Sequence, residues 1–284
     1  MGDLATDTQV SPIERDPAEH PGVSLRLRAN LSRDWEIWGP NGGYVAAVSL
    51  RAAGCAARIR RPATFHMHFL RVAEFGPVEL DVTVVQAGRR AESIRVSMSQ
   101  EGRLIVVGML RTALAGDGLL HDTAVAPTVD PPEKLSTYAE LYPDQAGPGY
   151  PFWNNVAAKP VEGARAASPP QGAPPVCRQW NRFVPRATFD DPFVDAARSL
   201  ILLDTMGWPA ATRLHVEPAY IAPSLDISAW FHRAAADEEW LLSDHDCPVG
   251  DSGLLGMNGR IWTRNGRLLA TGAAQLMCVP APPR

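Results

Sequence analysis

Asp204 closes an apolar run, Leu200-Ile201-Leu202-Leu203, and at helical spacing it shares a face with Phe193, Ala197 and Leu200. A carboxylate on such a face is costly to bury unless it is paired or hydrogen-bonded. Burial also raises its pKa toward neutrality, which suits a general base that takes a proton from water. The alternative is a helix-borne acid satisfied by a nearby backbone group or an arginine. Asn41, Gly42 and Gly43 stand where a helix begins, and amides there suit a developing oxyanion or a phosphate. An ordinary glycine turn accounts for the same residues. His66 and His68 alternate onto one face of a strand, but no third ligand is recognisable nearby, so no metal is expected. Arg58, Arg60, Arg61, Arg89 and Arg90 could meet phosphates; cations after a helix and at turn tips are also what solvated surfaces carry. There is no Gly-x-Ser-x-Gly elbow, P-loop or dinucleotide fingerprint.

The elements that must position these groups follow from periodicity. Residues 24–31 alternate Leu25, Leu27 and Ala29 against Arg26, Arg28 and Asn30, as a half-buried strand does. The turn Gly39-Pro40-Asn41-Gly42-Gly43 leads into an alanine-rich helix over 44–59, whose small side chains let a sheet approach closely. Strands over 63–71, 78–87, 91–101 and 103–113 form a meander with turns at Gly88-Arg89-Arg90 and Glu101-Gly102. Residues 115–150 are rich in Gly, Pro and Asp and read as a connection. Strands over 152–160 and 177–184 flank a low-complexity loop over 164–175. A second helix starts at Asp190-Asp191-Pro192, where an Asp caps free amides and Pro is tolerated, and runs to about Gly207. The last meander covers 224–233, 239–247, 253–263 and 267–279.

The two meanders carry the same marks. Phe69-Leu70-Arg71 precedes Gly102-Arg103-Leu104, and Phe231-His232-Arg233 precedes Gly266-Arg267-Leu268 at nearly equal separation. A unit of this size is a duplicated domain rather than a solenoid repeat. Two copies of one fold either form a site between them or keep one live site and one decayed one.

Composition limits the rest. The chain has 284 residues, enough for two ordinary domains, and a net charge of -4, which gives no drive toward nucleic acid. No stretch approaches the ~20 apolar residues of a membrane span. Residues 1–20 are polar, lack the apolar core of a signal peptide and read as a loose tail. Cys55, Cys177, Cys247 and Cys278 are widely scattered, without metal-ligand spacing, and are expected to be reduced. A cytoplasmic protein is expected, organised as a tail over 1–20, a first domain over 21–120, a connection over 121–150 and a second domain over 151–284.

Strand, apolar helix and antiparallel meander, twice over, describe an α+β double hot-dog. Gly39-Pro40-Asn41-Gly42-Gly43-Tyr44, Phe69-Leu70-Arg71 with Gly102-Arg103-Leu104, and Ala229-Trp230-Phe231-His232-Arg233 with Glu239-Trp240-Leu241-Leu242 resemble the acyl-CoA thioesterase II family. The resemblance spans residues 24–113 and 152–279. It implies a thioesterase that cleaves acyl-CoA by direct attack of water, with no cofactor and no metal. It implies a site in the second half made of an Asp on the central helix, a Thr or Ser at the start of the next strand and a Gln on the last strand. Asp204 and Ser224 fall on the first two positions. The third falls on Ala274 by ungapped count, with Gln275 one residue on; a bulge at Gly272 would bring Gln275 into place. Ser224 and Gln275 would hold the attacking water. The other reading is a non-catalytic acyl-CoA or lipid-binding protein on the same scaffold, since a fold does not fix an activity. A homo-oligomer is compatible with either.

Overall fold

A computed structural model describes residues 1–14, 16, 18, 22–141, 149–163, 172–215 and 219–281. Ten principal strands and three helices position the site. The first half holds β1 (Leu25–Leu31), α1 (Gly42–Cys55), β2 (Pro62–Phe69), β3 (Gly76–Ala87), β4 (Ala91–Gln100) and β5 (Arg103–Ala113). The second holds β6 (Val176–Phe183), α2 (Pro192–Thr205), α3 (Gly207–Thr212), β7 (Asp226–Phe231), β8 (Leu241–Asp251), β9 (Leu254–Trp262) and β10 (Leu268–Met277). The strands pair antiparallel in the order β1-β3-β4-β5-β2 and then β7-β10-β9-β8-β6, with β2 against β7 joining the halves into one sheet. Adding five to each label of the first half gives the second half read backwards. Two short edge strands, Ser11–Pro12 and Val156–Pro160, extend the ends. This is the double hot-dog that the sequence predicts.

The duplication reaches individual hydrogen bonds. Leu70 N and Arg71 N both donate to Ile105 O, at 2.8 and 3.2 Å, and His232 N and Arg233 N both donate to Leu269 O at the same two distances. Arg71 Nη1 donates to Leu104 O at 2.7 Å, and Arg233 Nη1 to Leu268 O at 2.8 Å.

Both long helices have 14 residues and lie inside the sheet. Asn41 caps α1, its Oδ1 accepting from Tyr44 N at 2.9 Å. Asp191 caps α2, accepting from Phe193 N at 2.9 Å, with Pro192 at the first helical position. The helices run antiparallel in direct contact. A Cβ on Gly43 would sit 2.7 Å from Ile201 Cα, and one on Gly54 would sit 2.7 Å from the Phe193 ring. Each glycine is thus required by the close approach of the helices, and the start of α1 is pressed against the end of α2. Among the described residues no helix is long and apolar enough to cross a membrane.

Two expectations need correction. The loose tail is docked over its described part. Leu4 is 1% exposed in the core, Tyr44 Oη donates to Asp7 O at 2.7 Å, and Gly2 N donates to Asn155 Oδ1 at 2.7 Å, so the segment touches both halves. An apolar side chain reaching a ready slot fixes a segment whose composition is otherwise polar. Residues 15, 17, 19 and 20 of it lie outside the described residues. The strand expected over 152–160 is a 3-10 turn, Pro151–Asn155, followed by a strand only from Val156 to Pro160. The turn lets Phe152 enter the core edge-on to Trp35, with ring centres 5.8 Å apart. The connection crosses the outer face of the second half. Ala126, Val129 and Leu135 pack on Trp180, Leu242 and Trp262, and Trp180 Nε1 donates to Asp130 O at 2.9 Å. Residues 142–148 of the connection and 164–171 of the low-complexity loop lie outside the described residues.

Candidate active site

The meeting of the two helices makes a polar cluster that neither half makes alone. A helix start leaves its first amides without intrahelical acceptors. At the start of α1, Asp204 Oδ2 of α2 accepts from Gly43 N at 2.6 Å. Its Oδ1 accepts from Ser224 Oγ at 2.8 Å. Asn41 Nδ2 donates to Thr205 Oγ1 at 3.1 Å, which ties the cap of one helix to the last turn of the other. Gly42 completes the contact, since a Cβ there would stand 2.9 Å from Asp204 Oδ2.

Asp204 is 7% exposed. Burial pushes its carboxyl up from 3.8 to about 6, while the hydrogen bonds from Ser224 and Gly43 pull it down. Desolvation wins because the two donors that hold the anion are neutral and, among the described residues, no cation pairs with it.

The carboxylate opens onto a cavity of about 670 Å³. Its walls are mainly apolar, including Val45, Phe69, Val106, Trp153, Trp208 and Leu276. Apolar walls with a few convergent polar groups are the usual make-up of a small-molecule site. Asp204, Thr205, Asn41 and Ser224 form the inner polar spot; exposed Arg71 and Tyr150 mark the outer end. Trp38, from the loop before α1, meets Trp208 of α3 edge-on at 5.7 Å and donates through Nε1 to Tyr150 Oη at 2.9 Å.

Five of the six predicted site residues therefore come together, but across the halves rather than within the second. Gln275 does not join them. Residues Ala270–Met277 pair without interruption against Ile261–Leu254, so there is no bulge at Gly272; the irregularity falls at Leu269. Alternation then sends Gly272, Ala274 and Leu276 inward and Gln275 outward, and it does not line the cavity. Its backbone has a different part: Gln275 O accepts from Leu225 N at 2.7 Å and so holds the strand beside Ser224. Gln275→Ala should leave acyl-CoA turnover within about twofold. Ser224→Ala removes a donor to a carboxylate and should slow turnover by about 10- to 100-fold. Steady-state rates of the two variants check both, and a slow Gln275→Ala variant would contradict the outward side chain.

Thr205, Trp208 and Arg71 were missed as site residues. The signal for Thr205 was its place beside Asp204; Trp208 lies in a six-residue helix too short to show a period. The arginines singled out as phosphate candidates lie elsewhere. Arg58 is engaged by buried Glu92 at 2.8 Å. Arg60 closes the second end of the helix pair. There Gly54 takes the position equivalent to Asp204, Phe193 that of Gly43, and Asp191 that of Asn41. The Arg60 guanidinium lies 4.4 Å over the Phe193 ring, contacts Asp191 at 3.2 Å and donates to Gly54 O at 2.9 Å. The related end keeps only a small cavity of about 190 Å³, beside Gly54, Arg60 and Asp191, and has no acid on its helix.

Comparison with known proteins agrees with this fold. Residues 31–113 match the family model for the acyl-CoA thioesterase N-terminal domain, and residues 111–279 match that for the C-terminal domain. A putative thioesterase II from Thermobifida fusca superimposes with a TM-score of 0.80 at 21% identity, over 98% of both chains. The acyl-CoA thioesterase II TesB2 from Mycobacterium marinum gives 0.77 at 21% identity, over 98% of this chain and 99% of that one. A conserved hot-dog protein of unknown function from Alicyclobacillus acidocaldarius gives 0.80 at 20% identity, over 99% and 98%. At these identities the structures show the shared fold, while the two domain models cover nearly the whole chain, and it belongs to the acyl-CoA thioesterase family, as a hydrolase of acyl-CoA thioesters.

Proposed function

We propose that Asp204 is the general base for direct attack of water on the acyl-CoA thioester. The observation that carries this reading is a buried carboxylate, held by Ser224 Oγ and Gly43 N, at the inner end of an apolar cavity. Each oxygen accepts one bond from the protein, and a carboxylate has about four acceptor positions, so lone pairs remain for a water. Water adds to the thioester carbon and gives its proton to Asp204, and the carbonyl oxygen becomes an oxyanion. Gly43 N is committed to Asp204, whereas Gly42 N, at the first position of α1, is free of an intrahelical acceptor and suits the oxyanion. Collapse breaks the carbon–sulfur bond, and the proton passes from Asp204 to the departing thiolate. The products are the free acid and CoA, with no covalent intermediate. The acyl chain occupies the apolar walls.

The sign of the pH dependence follows from the base. Asp204 works ionised, so thiol release from acyl-CoA should rise roughly tenfold per pH unit below about 6 and level off above it. A profile flat between pH 4.5 and 8, on short, long or aromatic acyl groups, would exclude Asp204 as the base.

A further inference from the structure

We propose that Arg71 binds a phosphate of the substrate's leaving group at the outer end of the cavity. The inference rests on the thioesterase reading and assigns the part of the substrate that the apolar walls and the carboxylate do not recognise. The thiol of CoA lies at the end of an uncharged pantetheine arm. With the thioester at the buried inner end, the charged phosphates must stay outside, where the cavity meets solvent.

Among the described residues lining the cavity, Arg71 is the one cation. The internal duplication shows which part of its guanidinium is already in use. Arg71 and Arg233 are equivalent, and each spends Nη1 on the carbonyl that ends its own hairpin, Leu104 O and Leu268 O. Arg233 goes on to donate from Nη2 to Asp122 Oδ2 at 2.7 Å. Among the described residues, no carboxylate pairs with Arg71. The copy away from the cavity has its charge answered by the connection, and the copy on the cavity keeps its fork open. The bond to Leu104 O fixes the side chain, so little freedom is lost when the remaining donors meet an anion. A planar guanidinium fork matches phosphate geometry, and a charge-assisted pair of this kind is about twice as strong as a neutral hydrogen bond.

The phosphate can be that of phosphopantetheine, shared by CoA and by carrier-bound acyl groups, or one carried on the adenosine part of CoA. The test compares three thioesters of one acyl group: acyl-CoA, acyl-phosphopantetheine and acyl-pantetheine. Arg71→Gln removes the charge and keeps an N–H for Leu104 O; Arg71→Lys keeps the charge. Arg71→Gln should raise KM for acyl-CoA about tenfold with kcat little changed, and leave acyl-pantetheine, which has no phosphate, unaffected. Arg71→Lys should recover part of the loss, and 0.5 M salt should weaken the wild-type advantage of acyl-CoA over acyl-pantetheine. A raised KM for acyl-phosphopantetheine as well places the contact on the shared phosphate; an effect confined to acyl-CoA places it on the adenosine side. If Arg71→Gln alters neither phosphate-bearing substrate, or alters acyl-pantetheine equally, the assignment is overturned. If the wild type releases thiol from none of the three, the thioesterase reading itself fails, a different result.

Discussion

Asp204→Asn is expected to slow acyl-CoA hydrolysis by about 10²–10⁴-fold, the usual contribution of a positioned general base, and to make the folded protein more stable at neutral pH. The amide keeps the shape of the side chain. Its oxygen can still accept from Gly43 N, and its NH₂ can donate to Ser224 Oγ, so the contact between the helices survives. The stability gain follows from linkage. The folded-state pKa of Asp204 stands at about 6 against 3.8 for the free group, so the folded protein binds that proton more tightly. The resulting stabilisation is complete below about pH 4 and is lost as pH rises through about 6. Above that, the ionised, desolvated carboxylate costs up to about 3 kcal/mol. The Asn variant avoids the cost, and its advantage should fade as pH falls toward 4. Urea unfolding at pH 8 and pH 4, with thiol-release rates at pH 8, checks both parts. A variant that is inactive and also less stable at pH 8 would mark Asp204 as a structural acid.

Arg198→Ala should cost about 3–5 kcal/mol of stability, the usual consequence of removing one member of a buried ion pair. The side chain is fully buried in the first half of α2. It pairs with Asp195 one turn back and donates to Ala187 O, Ala235 O and Glu238 O, each at 2.6 Å. Asp195 Oδ2 accepts from Ala235 N at 2.9 Å. One guanidinium therefore fastens the loop before α2 and the loop after β7 to the helix that carries Asp204. Its loss leaves a buried carboxylate without its cation and takes a donor from three carbonyls, of which Ala235 O keeps only its bond from Glu238 N at 2.9 Å. Replacing both charges, as Arg198→Met with Asp195→Leu, should recover a large part of the loss, because the desolvation cost goes with the pair. Denaturant midpoints for the single and double variants decide this; a single variant within 1 kcal/mol of wild type would show the network to be dispensable.

The fold was legible because period-2 and helical patterns are local, and most strands stand within two or three residues of their predicted bounds. The repeat was legible because its marks recur at nearly equal separation, where Arg71 and Arg233 bond equivalent carbonyls, Leu104 O and Leu268 O. Asp204 was legible as an acid on an apolar face. What was not legible is long-range or sub-periodic. No pattern shows that Gly43 and Asp204, far apart in sequence, lie in contact, so a site shared by both halves was assigned to one. Gln275 was misplaced because alternation records which residues share a face but not where a bulge resets the count; it falls at Leu269. Arg60 and Arg58 look in the sequence like solvated or phosphate-binding cations because the acids that engage them, Asp191 and Glu92, are 131 and 34 residues away.

Joining the two copies in one polypeptide has a genetic consequence. In a homodimer of single hot-dogs, Asp204 and Gly54 would be one codon, and any acid gained or lost would be gained or lost at both ends of the helix pair. The continuous chain lets the ends diverge. One end holds a costly ionisable group over an open cleft, and the other has glycine, an aromatic ring and an arginine in close contact between the helices. A buried acid at one end and tight helix packing at the other, which one shared codon would tie together, are here inherited separately.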